Sequence, residues 1–179
     1  NISRNWNTLN NLNNGTLSTV TVSDGTSTAI KINASQMAVS KTLLNKFSQP
    51  LNGSPTFKIE VTEATASQVS DMLDTKEISS FDIKDTSENI GLYLNSLIDA
   101  VDTQKINSIK TPNTAVLEMS YSTYNTADTA SLLLKINKGA YSLKITDVSV
   151  EQMDSLRNNK SIDSFSVVDT VDNIQSISN

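Results

Sequence analysis

One arrangement of residues occurs twice in this chain, 84 positions apart, and that repetition restricts the fold more than any single motif does. Phe57-Lys58-Ile59-Glu60-Val61-Thr62 is answered by Tyr141-Ser142-Leu143-Lys144-Ile145-Thr146, and Ile78-Ser79-Ser80-Phe81-Asp82-Ile83-Lys84-Asp85-Thr86 by Ile162-Asp163-Ser164-Phe165-Ser166-Val167-Val168-Asp169-Thr170. The register continues through Asn89-Ile90 and Asn173-Ile174. Asn1-Ile2, followed by Trp6 and Leu9, stands 88 positions before Asn89-Ile90 with its Leu94 and Leu97. Leu17 and Val20 match Ile106 and Ile109 one residue out of step, and Lys46-Phe47 match Lys135-Ile136. The matched positions are apolar and widely spaced, and the length differences fall between them, where loops belong. The repeat units therefore run over 1–88 and 89–172, with 173–179 opening a third. The chain opens on polar Asn1-Ile2-Ser3-Arg4-Asn5 with no signal peptide, which predicts a segment of a longer repeat protein.

Apolar spacing divides each unit into elements. Ile90, Leu94, Leu97, Ile98 and Val101 fall at helical intervals and predict a helix near 87–102, begun by Asp85 or Thr86 as cap and favoured by Glu88 in its first turn. Ile106 and Ile109 predict a short strand, Pro112-Asn113 a turn and 116–121 a second strand, the two forming a hairpin. A helix follows over 127–136, closed by Lys138-Gly139. Tyr141, Leu143 and Ile145 alternate as a half-buried strand does; a short helix over 148–156 and a strand through Ile162, Phe165 and Val167 complete the unit. The first unit repeats this order, with strands at 20–22, 29–32, 57–61 and 78–83 and helices at 37–47 and 69–73, and Asp24-Gly25 as a turn. Strands alternating with helices predict an α/β fold: tandem units whose parallel or mixed sheet is covered by helices. No Gly/Pro-rich linker separates the copies, which favours solenoid-like stacking over separate beads.

Charge and residue inventory exclude several functions. A net charge of −5 repels phosphate backbones and anionic lipid heads, so nucleic acid is an unsuitable partner. No apolar run approaches the roughly 18 residues of a spanning helix, so membrane insertion is not expected. With His 0 and Cys 0 the Ser-His-Asp and Cys-His nucleophiles and the common zinc and haem sites are missing; 5 Gly cannot draw a phosphate-cradling loop. Neither cofactor nor metal ligand is therefore assigned.

Carboxylates are the remaining chemistry. Asp82, Asp85 and Glu88, and again Asp163, Asp169 and Asp172, gather at the strand-to-helix junctions. A calcium site or a glycosidase-like acid pair would use such groups. The same Asp-Thr at each junction speaks for capping instead, and assigns structural capping to Asp85, Thr86, Asn89, Asp169, Thr170 and Asn173. Trp6 aligns with Leu94 and reads as core; Tyr121 and Tyr124, beside the second strand, read as edge packing or a contact surface.

The phrase from Phe81 to Ile90 (a strand, Asp-Thr-x-x-Asn-Ile, then a helix through Leu94 and Leu97), followed by Lys105-Ile106-Asn107-Ser108-Ile109, resembles phrases that recur in large bacterial surface proteins, including S-layer proteins and adhesins exported by type I secretion. It stands whole at 81–97, in part at 165–174 and headless at 1–9. The resemblance implies an extracellular, cell-surface location and a non-enzymatic structural role, with self-association or contact between neighbouring repeats. An adhesin repeat that binds a cell-surface polysaccharide or host receptor is the alternative, and a carboxylate-only hydrolase the second alternative. Unlike many such proteins, this sequence contains no Gly-rich calcium-binding nonapeptide.

Overall fold

Alternation of apolar and polar residues becomes parallel β-structure throughout. The computed structural model describes residues 2–12, 15–23, 28–47, 57–112, 114–137 and 141–176. Along the chain these form α1 (Trp6–Leu12), β1 (Ile30–Asn33), α2 (Ala34–Ala38), α3 (Lys41–Leu44), β2 (Ile59–Ala64), α4 (Val69–Asp74), β3 (Ile78–Lys84), α5 (Ser87–Leu92) and α6 (Leu94–Val101). They continue with β4 (Ile106–Lys110), β5 (Ala115–Ser120), α7 (Tyr121–Tyr124), α8 (Ala127–Lys135), β6 (Tyr141–Val148), α9 (Met153–Arg157), β7 (Ile162–Val167) and α10 (Val171–Ser176). Single 3-10 turns at Ser3–Asn5, Ala66–Gln68 and Val150–Gln152 lead into α1, α4 and α9. The fold is α/β with two parallel sheets, ordered β1-β2-β3-β4 and β5-β6-β7.

The chain divides into two compact units, Asn1–Lys84 with Thr103–Ser108, and Asp85–Asp102 with Ile109–Asn179, so the division falls inside β4. In unit 1 the strands turn Ile30, Ile32, Ile59, Val61, Ala64, Ile78, Phe81 and Ile83 inward. A ring stack of Trp6, Phe47 and Phe57, with centroids 5.9 and 4.5 Å apart, adds the bulkiest buried side chains. Trp6 is core, as its alignment with Leu94 predicts, and its indole Nε1 donates to Ser40 Oγ at 2.7 Å. Ser40, itself fully buried, donates to the carbonyl of Gln36. That bond explains why the single helix expected over 37–47 is two, α2 and α3: the Ser40 hydroxyl takes a carbonyl of α2 while its backbone leaves helical geometry (φ −107°, ψ 5°). In unit 2, Thr129 holds the equivalent buried place and donates to Thr123 O at 2.7 Å.

The β2–β3 and β6–β7 ladders match pair for pair. Ile59 faces Ile78, Glu60 faces Ser80, Val61 faces Phe81 and Ala64 faces Ile83. Leu143 faces Ile162, Lys144 faces Ser164, Ile145 faces Phe165 and Val148 faces Val167. Each ladder contains two compensating irregularities. An extra residue on the later strand, Ser79 or Asp163, is followed by one on the earlier strand, within 62–63 or 146–147. Glu63 and Asp147 take the left-handed conformation there, at φ 59° and 57°. Just after each bulge a capping box starts the next helix: Gln68 Oε1 accepts from Thr65 N and Gln152 Oε1 from Ser149 N, both at 2.9 Å.

Most strands are apolar on one face only, though Val116 of β5 lies exposed beside Glu118 on the other. That other face carries cross-strand ion pairs, Lys31–Glu60 at 3.0 Å and Glu63–Lys84 at 2.7 Å in unit 1, and Glu118–Lys144 at 3.1 Å in unit 2. Parallel sheets covered on both faces read as unbroken apolar runs; these strands alternate because the opposite face stays polar.

Other expectations change as well. No β4–β5 hairpin forms, since β4 pairs with β3 and β5 with β6, all in parallel; the Pro112-Asn113 turn signal predicts a two-strand unit, but each strand finds its partner across helices. The helix expected near 87–102 breaks at Tyr93 (φ −101°, ψ 16°), whose N–H is shared between the carbonyls of Asn89 and Gly91. The helix placed at 148–156 begins two residues later, because Val148 completes β6 and Ser149 is its cap. Asp24-Gly25, Asn113 and Lys138-Gly139 lie outside the described residues.

Candidate functional site

The strand-to-helix junctions carry the residues singled out in the sequence. At the first, Asp85 Oδ1 accepts from Thr86 N at 2.8 Å and from Asn89 Nδ2 at 2.7 Å, while Thr86 Oγ1 accepts from Asn89 N at 3.3 Å. At the second, Asp169 Oδ1 accepts from Thr170 N at 2.8 Å and Asn173 Nδ2 at 2.7 Å, and Thr170 Oγ1 accepts from Asn173 N at 3.4 Å. Each Asp-Thr-x-x-Asn phrase satisfies amides that the start of a helix leaves open. Asp169 also accepts from Val150 N through Oδ2. That bond, then the Asn173 amide and the Thr170 N–H, hold its carboxyl below the ordinary range.

The other junction carboxylates are placed apart in role. Asp82 Oδ1 accepts from Ser108 Oγ at 2.6 Å. Glu88 lies exposed in the first turn of α5, where its charge suits the helix N-terminus. Asp163 is the extra residue of β7 and is exposed, as is Asp172 in the first turn of α10. Among the described residues no group of three or more Asp or Glu is arranged to hold a metal ion. No helix among them is long and apolar enough to cross a membrane.

Unit 2 holds a groove of about 480 Å³ lined by Tyr124, Tyr141, Leu133, Leu134, Asn125 and Asn159 among others. Tyr121 and Tyr124 form α7 instead of ending β5, with ring centroids 6.4 Å apart. Asn159 Nδ2 donates to the Tyr124 hydroxyl at 2.9 Å, which fixes that ring, and Leu134 on α8 is 86 % exposed at the rim. Burial, with the neighbouring Tyr124, pushes the Tyr141 phenol up. Phe57, the counterpart of Tyr141, is fully buried, so the two units differ at this place. Tyr121 and Tyr124 were singled out in the sequence, but Tyr141 and Asn159 were not. The replacement of Phe57 by Tyr at the same repeat position is the signal that would have found Tyr141.

At another place on unit 2, Asp99, Asp102 and Asp128 come together. The Asp102 carboxylate, foremost, raises the Asp128 pKa, with desolvation, their mutual hydrogen bond and Asp99 adding to it.

What most distinguishes the second copy is the exposure of its last elements. Phe81 of β3 is fully buried, whereas Phe165 of β7, in the same ladder position, is half-buried. Ile90 of α5 is fully buried in unit 2, where α5 lies on β5, whereas Ile174 of α10 is 41 % exposed. Beside it Val168 and Val171 are 63 % and 69 % exposed. No family model matches the chain, and no curated protein matches it in sequence.

Proposed function

We propose that this chain is a non-enzymatic structural repeat module of a secreted bacterial cell-surface protein, an S-layer or surface scaffold built by adding like units. One observation carries the reading. The β2–β3 and β6–β7 ladders agree pair for pair, bulges included. A fold that grows by repetition duplicates such a double bulge and its caps from unit to unit. The remaining supports are the resemblance of the Asp-Thr-x-x-Asn-Ile phrase to surface-protein repeats and the engagement of the Asp85 and Asp169 carboxylates in capping. In this reading the repeats stack as a solenoid, and neighbouring repeats are the first partners. Electron microscopy of cells bearing the parent protein tests it. A regular surface array is expected, and an intracellular location or scattered fibres would reject it.

The adhesin reading has one specific observation in its favour, the tyrosine-lined groove of unit 2, where Tyr141 stands in place of the fully buried Phe57 of unit 1. Aromatic faces beside amide donors suit a sugar ring. A glycan array probed with the chain and with Tyr124→Ala separates this reading: binding lost in the variant supports it, and a blank array removes it.

A further inference from the structure

The groove of unit 2 stands apart from the rest of the acidic chain in its charge. α7 and β6 bring Tyr124 and Tyr141 to it, α8 brings Ala130, Leu133 and Leu134, and the turn before β7 brings Asn159. None of its described lining residues is charged, in a chain of net charge −5. A charged ligand would meet no counter-charge there. The volume of about 480 Å³ falls within the roughly 300–1,000 Å³ of small-molecule sites. Two phenol rings supply apolar faces with polar tips. The Asn159 amide is fixed at both ends: Oδ1 accepts from Ser161 N at 3.0 Å, and Nδ2 donates to the Tyr124 hydroxyl at 2.9 Å. With one lone pair so occupied, the Tyr124 hydroxyl keeps its hydrogen for a ligand. Burial holds the Tyr141 phenol above its ordinary pKa, so it too remains a donor. β6 is the central strand of its sheet and is paired on both sides, so the groove offers no strand edge to a peptide.

Unit 1 has a groove at the corresponding place, built differently. Counting from the caps Asn33 and Ser120, Met37 stands for Tyr124; counting from the buried Ser40 and Thr129, Lys41 stands for Ala130. Thr75 stands for Asn159 in the 84-residue register. The volume there is about 190 Å³, and Lys41, Asp71 and Asp74 set charges along it. That groove is open and lined by unit 1 alone although a further copy follows it in the chain. The opening is thus a property of the repeat itself, and its lining is what changes from copy to copy.

We propose that the unit 2 groove binds one uncharged hexose ring of a polysaccharide, its C–H face against the tyrosine rings and its hydroxyls on those of Tyr124 and Tyr141. A hexose has what this lining asks for: an apolar face, hydroxyls around its rim and no charge. The inference rests on the adhesin reading. It narrows the ligand to neutral sugars and confines binding to one of the two copies, because Lys41 and the smaller volume deny the same ring a place in unit 1.

Isothermal titration of the chain with dextran, mannan and galactan, and with the anionic alginate and dextran sulfate, tests it at low and high salt. Binding of at least one neutral polymer, insensitive to salt, is expected. Ala130→Lys, at an exposed position of α8, brings in the lysine of unit 1 and is expected to abolish binding at an unchanged melting temperature. Tyr124→Phe keeps the ring and removes the donor, and is expected to weaken binding about fivefold, the effect of one neutral hydrogen bond. Full binding by either variant overturns the proposal. Binding of the anionic polymers alone also overturns it, while leaving the adhesin reading standing. Blank titrations overturn it too, and the glycan array then decides the adhesin reading separately.

Discussion

Asp169 and Val150 join the two ends of the β7 excursion: the Asp169 carboxylate, at the head of α10, accepts from the backbone N–H that opens the 3-10 turn before α9, at 2.9 Å. The same carboxylate caps α10. Its folded pKa is depressed, so the native state binds fewer protons than the unfolded one in the acidic range. The stabilisation is complete above the unfolded carboxylate pKa and is lost as pH falls through the folded value. Urea unfolding of wild type and Asp169→Ala as a function of pH checks this. The variant is expected to be the less stable at neutral pH, with the gap closing in acid.

Asp102 and Asp128 have the opposite sign. The Asp128 pKa is raised, so the native state holds its proton longer and stability falls as pH rises from the unfolded to the folded value. Asp102 also caps the C-terminal end of α6, where a negative charge opposes the helix dipole. Asp102→Asn removes the foremost cause of the Asp128 shift and the opposing charge at the helix end. A gain of about 0.5 kcal/mol from the dipole alone is expected at neutral pH, shrinking in high salt. Thermal melts at two salt concentrations measure it.

Phe81 and Phe165 share a ladder position but not an environment, so truncating them separates burial from register. Phe81→Ala is expected to cost about 3–5 kcal/mol, as for a fully enclosed aromatic, and Phe165→Ala less than half of that. Denaturant unfolding gives both values. Equal costs would show that the two strands are covered alike.

The ion pairs Lys31–Glu60 and Glu118–Lys144 lie at corresponding cross-strand positions with their signs exchanged. Geometry at this place therefore requires opposite charges and is indifferent to their order. Lys31→Glu alone is expected to cost about 0.5 kcal/mol, and adding Glu60→Lys to restore it. A double-mutant cycle read by urea unfolding supplies the coupling.

The sole tryptophan reports on unit 1. Ser40→Ala leaves the buried indole N–H of Trp6 without its acceptor and is expected to cost about 1–3 kcal/mol, with a shift of Trp6 emission marking the loss.

Much of this architecture was legible in the sequence because the repeat multiplies weak signals. Alternation at Tyr141, Leu143 and Ile145 is a modest hint alone; its echo at Phe57, Ile59 and Val61 identifies both as strands. Pairing was less legible. A short loop between β4 and β5 reads as a hairpin unless one knows that β4 belongs beside β3, a relation set by long-range packing. Helix interruptions at Ser40 and Tyr93 also escaped, since they depend on which hydroxyl or amide captures a carbonyl locally. The capping boxes at Thr65-Ala66-Ser67-Gln68 and Ser149-Val150-Glu151-Gln152 were readable and would have placed both helix starts. At the junctions, the phrase showed which residues would cap. That Asp169 also restrains Val150, nineteen residues back in the chain, was invisible to local reading.

The polar face of the sheets has a consequence for how such a chain can diverge. The charged side chains there pair with one another across strands, so they can be rewritten in pairs while the buried face is held constant. Copies that share one interior can in this way wear different exteriors, and the exchanged lysine and glutamate are an instance of it.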